Sequence, residues 1–151
     1  MTIRLSGLKR SQRMGKKVTY QEAGVDTRAA AALVNEIKAD VSRTQKRRQL
    51  HNSFGLFAAA FDLSEYQNPV IVTGCDGVGT KLELLLEHGM EAEAGKDLVA
   101  MSVNDIITTG GDPLLFLDCI GIEKLQPERI KRLISGMCDY LEDCGCILAG
   151  G

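Results

Sequence analysis

Tryptophan, histidine, long apolar runs and paired cysteines are scarce or absent in this sequence, and each absence argues against a class of protein. It has no tryptophan, only two histidines, and aromatic residues make up 5% of its 151 positions, so aliphatic side chains must fill any core. No apolar run is long enough to cross a bilayer or to form a secretory signal. The five cysteines are odd in number and form no C-x-x-C pair, and neither histidine has a partner at zinc-ligand spacing. These absences favour reduced thiols in a cytoplasmic protein over a disulfide framework, a zinc site or a membrane protein.

Charge is distributed unevenly along the chain. Residues 1–17 hold six basic residues and no acid, so the remainder has 12 basic against 20 acidic residues, a net charge of −8. An acidic body is a poor surface for nucleic acid but suits a protein that binds divalent cations. We interpret residues 1–17 as a flexible basic leader, with a targeting peptide or a chain that starts at Met14 as the alternatives. Residues 18–151 are expected to form one folded domain.

Apolar periodicity predicts alternating helices and strands. The expected helices begin at Asp26 or Thr27, at residue 95 and at Pro127, and the second of them ends near residue 109. The expected strands are residues 70–73, 114–122 and 146–149, with a short helix or strand at 82–86. This order predicts an α/β or α+β layered domain. Because the last strand runs into Gly150 and Gly151, we expect the sequence to be part of a longer protein.

A glycine-rich loop, GCDGVGTK at residues 74–81, is the sharpest chemical signal. Three glycines within six residues allow positive φ angles and let successive N–H groups face an anion: Gly74, Gly77 and Gly79. Thr80 and Lys81 stand in the reverse of the Walker A order. Asp76 would repel a phosphate unless Mg²⁺ lay between them, whereas Lys81 could neutralise a phosphate directly. The alternative is a glycine-rich hairpin in which Asp76 caps its own turn.

Polar residues also interrupt the second predicted helix. At about 100° per residue, Asp97 and Asn104 lie within roughly 20° of each other, and Asp105 lies about 80° from Asp97. Apolar neighbours on both sides of Asn104 and Asp105 predict partial burial, and a buried carboxylate needs a partner or a cation. The alternative is a solvated helix face, with Asp97 as a favourable first-turn acid.

Two further features have plainer interpretations. Asp118 is expected to be a polar residue at a strand end rather than a ligand. The basic run at residues 46–48 could meet phosphates, but solvated helix ends commonly carry such runs.

Taken together, the motifs resemble one family. AGVD at residues 23–26, GCDGVGTK at 74–81, DLVAM at 97–101, VND at 103–105 and PLLFLD at 113–118 resemble aminoimidazole ribonucleotide synthetase, also called phosphoribosylformylglycinamidine cyclo-ligase. The resemblance runs from about residue 18 to residue 151. It implies a ligase of purine biosynthesis that uses ATP to convert formylglycinamidine ribonucleotide into aminoimidazole ribonucleotide, releasing ADP and phosphate. It also implies an N-terminal domain with a mixed sheet, helices packed on one face, and a homodimer formed through the sheet.

The resemblance also implies roles for individual residues. Asp76 and Asp105 would bind Mg²⁺, while Lys81 and Asp97 would be the catalytic residues. The ATP-binding set would be Gly74, Asp76, Gly77, Gly79, Thr80, Lys81, Asn104 and Asp105.

The sequence departs from the family in places. His51, Asn52 and Ser53 replace a glycine-rich stretch ahead of Phe-Gly, and Gln21 replaces a lysine. The family continues with an acidic segment and a C-terminal domain, so we expect these 151 residues alone to be inactive. Rival interpretations are a thiamine-phosphate kinase, a selenophosphate synthetase, or a non-catalytic dimerisation module.

Overall fold

A computed structural model describes residues 26–51 and 58–151 of the chain. The proposed leader at residues 1–17 lies outside the described residues, as do Gln21, Asn52 and Ser53. Within the described ranges the order is α1, α2, α3, β1, α4 and β2.

The first helix begins where its cap predicts. Helix α1 spans Thr27–Arg43, and the Asp26 carboxylate accepts hydrogen bonds from the backbone N–H groups of Arg28 and Ala29, both at 3.0 Å. Capping by an Asp side chain satisfies N–H groups that the helix itself leaves unpaired. A stripe of apolar side chains, at helical spacing, is buried on one face: Leu33, Ile37 and Val41.

The next two helices correct the predicted boundaries. Residues 82–86 are helical, within α2 (Lys81–Glu87), and α3 spans Glu91–Thr108, so it begins four residues before the predicted start at Gly95. Gly95 is not a boundary, because it lies where α3 packs against α4 (Pro127–Cys144). A Cβ atom on Gly95 would overlap the Leu133 carbonyl oxygen, and one on Gly136 would overlap the Ala92 carbonyl oxygen. The two glycines therefore let the helix backbones touch.

The sheet is smaller than predicted. Strands β1 (Leu115–Leu117) and β2 (Ile147–Gly150) are parallel, with Phe116 opposite Leu148, and α4 forms the crossover between them. The predicted strand at 114–122 is therefore wrong in extent, since β2 offers only four residues to pair with.

The predicted strand at 70–73 is wrong. Val70 and Ile71 are 87% and 72% exposed, and no strand is assigned at these residues. A β-branched run needs a neighbouring strand to hydrogen-bond with, and composition alone does not supply one. The described sheet is thus parallel rather than mixed, although the mixed α/β class is confirmed.

The core lies between the helices and one face of β1, while β2 is buried on both of its faces. Phe116 of β1 is buried, whereas Leu115 and Leu117 are 42% and 71% exposed, so the helices cover one face of this strand. The core cluster draws on three helices and both strands: Leu33, Ile37, Val41, Val99, Val103, Phe116, Ile134, Met137, Cys138, Leu141, Cys146 and Leu148. Of the helices in the described ranges, none combines the length and apolarity needed to span a bilayer.

The five cysteines differ in environment and are all free thiols. Cys75 and Cys119 are exposed, while Cys138 and Cys146 are buried. Burial raises the pKa of the Cys138 and Cys146 thiols to about 12, so both are neutral core side chains.

Candidate functional site

The glycine-rich loop lies alongside α3. A Cβ atom on Gly74 would lie 3.8 Å from the Cβ of Asp105. At the other end of the loop, the Lys81 Nζ is 2.8 Å from Asp97 Oδ2. Since eight residues separate the two aspartates, they are about 12 Å apart along the helix axis. The loop therefore runs from the Asp105 end of α3 back to the Asp97 end, and it brings together the residues that the motifs single out.

Lys81 forms an exposed ion pair with Asp97, and little free energy is needed to open it. It is the first residue of α2, and its side chain and that of Asp97 are 50% and 40% exposed. Exposed pairs contribute only about 0–1 kcal/mol, because water screens them. Lys81 can therefore exchange part of its contact with Asp97 for a ligand phosphate at small cost.

Asp76 makes the local contact that the hairpin interpretation predicts. Its Oδ1 accepts a hydrogen bond of 2.7 Å from the Gly77 backbone N–H, and the side chain is exposed. An ionised carboxylate offers about four acceptor positions on two oxygens, so this contact leaves room for a cation. The turn and a metal ligand are compatible roles for Asp76.

The loop glycines differ from expectation. None of the three adopts a positive φ, and the positive-φ glycines of the described chain lie elsewhere: Gly89, Gly110, Gly145 and Gly150. A Cβ atom on Gly77 or Gly79 would meet no atom within 4 Å. Glycine at these two positions leaves the main chain open at the surface, which favours close approach of a ligand.

The predicted partial burial of Asp105 is wrong. Asn104 and Asp105 are both exposed, as is their neighbour Ile107 at 54%. The buried face of α3 passes through Val99 and Val103, and the next two residues turn away from α4. Asp105 therefore has no burial that demands a partner. The described residues contain no group of three or more side chains arranged to hold a metal ion by themselves.

Comparison with known proteins decides the family. Residues 57–151 match the AIR synthase related protein, N-terminal domain. The chain belongs to this family.

Three relatives from different bacteria share one name. The chain is 46% identical to the phosphoribosylformylglycinamidine cyclo-ligase of Staphylococcus carnosus over 135 residues, which is 88% of this chain and 39% of the relative. It is also 46% identical to the enzymes of that name from Oceanobacillus iheyensis and Cupriavidus metallidurans, over 87% and 89% of this chain. The resemblance noted from the motifs is confirmed. The chain spans 39% and 38% of the length of these two relatives.

Asp118 behaves as a strand-end residue of the family domain. It follows β1, its backbone N–H donates to the Gly150 carbonyl at 3.0 Å, and its side chain is half-buried. Burial raises the pKa of this carboxyl above its ordinary value. A Cβ atom on Gly151 would overlap the Asp118 carboxylate, so the chain after β2 passes close to this side chain.

The basic run at residues 46–48 joins structural elements. Lys46 pairs with Glu142 of α4, and Arg48 donates to the Gly145 carbonyl at 2.9 Å. These contacts favour a structural role for the run over contact with phosphates.

A buried carboxylate in the family domain was missed by the sequence analysis. Glu91 is 1% exposed and is paired through Oε1 with Arg129 Nε at 2.6 Å and through Oε2 with Arg132 Nε at 3.1 Å. The hydrogen bond from Arg132, together with that from Arg129, lowers the pKa of Glu91 to about 2 despite burial. Two arginines three residues apart near the start of α4 were a possible signal, but the predicted start of α3 at Gly95 left Glu91 outside a helix.

A cleft of about 370 Å³ lies at the carboxyl end of α3. It is lined by Val103, Ile107 and Pro113 among others, with no residue of the glycine-rich loop. The loop is an open surface rather than a cavity, so shape alone does not reveal it.

Proposed function

We propose that this chain is the N-terminal, ATP-binding part of a cytoplasmic phosphoribosylformylglycinamidine cyclo-ligase. That enzyme closes the imidazole ring of aminoimidazole ribonucleotide from formylglycinamidine ribonucleotide. Membership of the family and the names of the relatives support the proposal. The single observation that carries it is the glycine-rich loop lying between Asp105 and Asp97, with Lys81 at its end.

Magnesium–ATP fits the donors at this loop. Mg²⁺ prefers oxygen ligands and commonly binds through one or two carboxylates together with substrate phosphates. Asp76 and Asp105 are exposed carboxylates, and the loop that carries Asp76 begins beside Asp105. Since the described residues hold no complete cage for a metal, the phosphates would complete the coordination sphere.

The remaining residues would orient the nucleotide. ATP supplies the phosphoryl group that activates the formyl oxygen of the substrate. Lys81 neutralises a phosphate oxygen, and Asp97 restricts the orientation of the Lys81 side chain. The Thr80 hydroxyl, the Asn104 amide and the open main chain at the three loop glycines supply further hydrogen-bonding groups.

Substitution of the two carboxylates tests this assignment. Asp76→Asn and Asp105→Asn should each weaken Mg²⁺-dependent ATP binding about tenfold or more, because each removes a charged ligand. Isothermal titration calorimetry at fixed free Mg²⁺ measures the change. Asp112→Asn, at an exposed acid beyond the end of α3, is the matched control and should bind normally. Unchanged affinity in both site variants would remove the assignment.

We also propose that these 151 residues bind nucleotide without closing the ring. Ring closure requires phosphate, metal and substrate amide in one geometry, and much of the rate comes from that positioning. The two histidines, candidate general bases, are exposed: His51 lies in an irregular segment, and the His88 ring contacts the Leu84 carbonyl at 2.8 Å. Ring closure by this chain at a rate within about tenfold of a full-length relative would contradict the proposal.

Dimerisation through the sheet side is the last part of the proposal. Leu117 of β1 is 71% exposed, and Val70 and Ile71, which lie outside the sheet, are 87% and 72% exposed. Such exposure of large apolar side chains is unusual in one small domain. Sedimentation should show self-association at tens of micromolar, on the order expected for a moderately tight dimer. Leu117→Lys should weaken association, whereas Val34→Lys on α1 should not. A monomer at these concentrations would contradict this part.

A further inference from the structure

Helix α2 has little hydrophobic support of its own. It has seven residues, none of them buried, and Leu84 at its centre is 60% exposed. Isolated helices of this length are unstable in water. Leu82, Leu85 and Leu86 are half-buried, so the position of α2, and of Lys81 at its start, depends on this partial packing together with the contacts made at its two ends.

One side chain holds the carboxyl end of α2. Arg129 Nη2 donates to the Leu86 carbonyl at 2.6 Å, while its Nε contacts Glu91 Oε1 at 2.6 Å. Glu91 is buried in the first turn of α3, so Arg129 connects α2 to the buried start of that helix. At the other end of α2, Lys81 meets Asp97 of the same helix α3.

The neighbouring arginine provides a natural comparison. Arg132 pairs with the other oxygen of Glu91 at 3.1 Å, but within residues 26–51 and 58–151 it has no hydrogen bond to α2. Both arginines thus satisfy the same buried carboxylate, and Arg129 alone of the two also holds a carbonyl of α2.

The geometry gives Arg129 a route to the candidate site. At about 1.5 Å per residue, Lys81 and Glu87 are roughly 9 Å apart along the axis of the one short helix that joins them, so a shift of the Leu86 carbonyl also shifts Lys81. The planar guanidinium holds two acceptors at fixed positions, which a lysine ammonium on a flexible stem does not do.

We propose that Arg129 is a positioning residue for Lys81: by fixing the Leu86 carbonyl against Glu91, it sets where the lysine meets the nucleotide phosphates. This inference rests on the proposed function, because it assumes that Lys81 contacts the nucleotide. It assigns Arg129 a role in ligand affinity that Arg132 does not share.

Two lysine substitutions test the assignment. Arg129→Lys and Arg132→Lys each keep a cation beside Glu91, so both variants are expected to fold. MgATP affinity, measured by calorimetry, should fall about fivefold or more in Arg129→Lys and less than about twofold in Arg132→Lys. In a Lys81→Met background, Arg129→Lys should have no further effect, since the lysine that it positions is gone.

Each outcome has a separate meaning. If Lys81→Met leaves MgATP affinity unchanged, the proposed role of Lys81 fails. If Lys81→Met weakens binding but the two arginine variants bind alike, or if the effects of Lys81→Met and Arg129→Lys simply add, the role of Arg129 is overturned. An Arg129→Lys chain that fails to fold where Arg132→Lys folds would also overturn it, because Arg129 would then serve the whole fold.

Discussion

Replacing Glu91 by glutamine should remove a pH-dependent part of the stability. The two arginines lower the pKa of this carboxyl from 4.5 to about 2, and a difference of that size corresponds to about 3 kcal/mol at neutral pH. Arg129 and Arg132 are 34% and 52% exposed, so water screens part of the interaction. We therefore expect Glu91→Gln to lower the free energy of unfolding by about 2–3 kcal/mol at pH 7.

The sign of the pH dependence follows from the lowered pKa. The ionised carboxylate stabilises the folded state fully above about pH 4.5, the unfolded value, and this contribution is lost as the pH falls towards about 2. The difference between Glu91→Gln and the unsubstituted chain should therefore be largest at neutral pH and should shrink through that window. Urea unfolding followed by circular dichroism at several pH values measures it.

A neighbouring glutamate supplies the control. Glu93 also lies in the first turn of α3 but is exposed, so Glu93→Gln should change the stability by less than about 0.5 kcal/mol. An equal loss in both variants would show that the effect belongs to the helix terminus rather than to the buried ion pair. A loss at Glu91 that persists unchanged at pH 2 would show that ionisation is not its source.

Two further stability predictions concern close contacts in the core. Gly95→Ala should destabilise the domain by at least about 1 kcal/mol in urea unfolding, because the new methyl group would overlap the Leu133 carbonyl. This loss is expected even though alanine is the better helix former. Gly77→Ala is the control, since a Cβ atom at Gly77 would meet open space. Thr44→Val should cost about 1–3 kcal/mol, because the buried Thr44 hydroxyl accepts the Leu148 N–H at 3.2 Å. Ser42→Ala at the exposed neighbour should be nearly neutral, and equal losses in the thermal unfolding of the two variants would contradict the assignment.

Local signals predicted the helices well. The cap at Asp26 and the proline at the start of α4 are local signals that span only a few residues, and the structure has both. The start of α3 was missed for a non-local reason. Glycine is common at helix boundaries, so the sequence pattern indicates one at Gly95. A glycine inside the helix is explained by its contact with Leu133, which lies 38 positions further along the chain.

Strand prediction failed for a related reason. Residues 70–73 have strand composition, but a strand requires a hydrogen-bonding neighbour, and the described chain provides none there. By contrast, residues 146–149 were predicted as a strand and largely coincide with β2, because β1 lies beside them. Apolar composition indicates what a segment can form, while pairing depends on what the fold places next to it.

The sequence predicted which residues belong to the candidate site, but it did not predict which of them contact each other. Helical spacing placed Asp97, Asn104 and Asp105 on one helix, and the motif placed Lys81 in a loop. That Lys81 meets Asp97 and that Gly74 lies beside Asp105 depend on tertiary packing, which spacing does not encode. The Glu91 ion pairs were missed on the same grounds, because their partners lie 38 and 41 positions away.

Burial separates the proposed nucleotide-binding residues from the residues that stabilise the fold. Within residues 26–51 and 58–151, the buried side chains belong to α1, α3, α4 and the two strands, apart from Thr44 just after α1 and the segment that leads into β2. The loop at residues 74–80 and helix α2 contribute none. Substitutions at Asp76 should therefore alter nucleotide affinity with little change in unfolding temperature, and substitutions at Val99 should do the reverse. Arg129 is the exception, since it touches both the buried Glu91 and the exposed α2. A side chain that connects a stable core to a weakly supported helix can affect both nucleotide affinity and unfolding temperature. The effect of Arg129→Lys must therefore be compared with that of Arg132→Lys, and not with the unsubstituted chain alone.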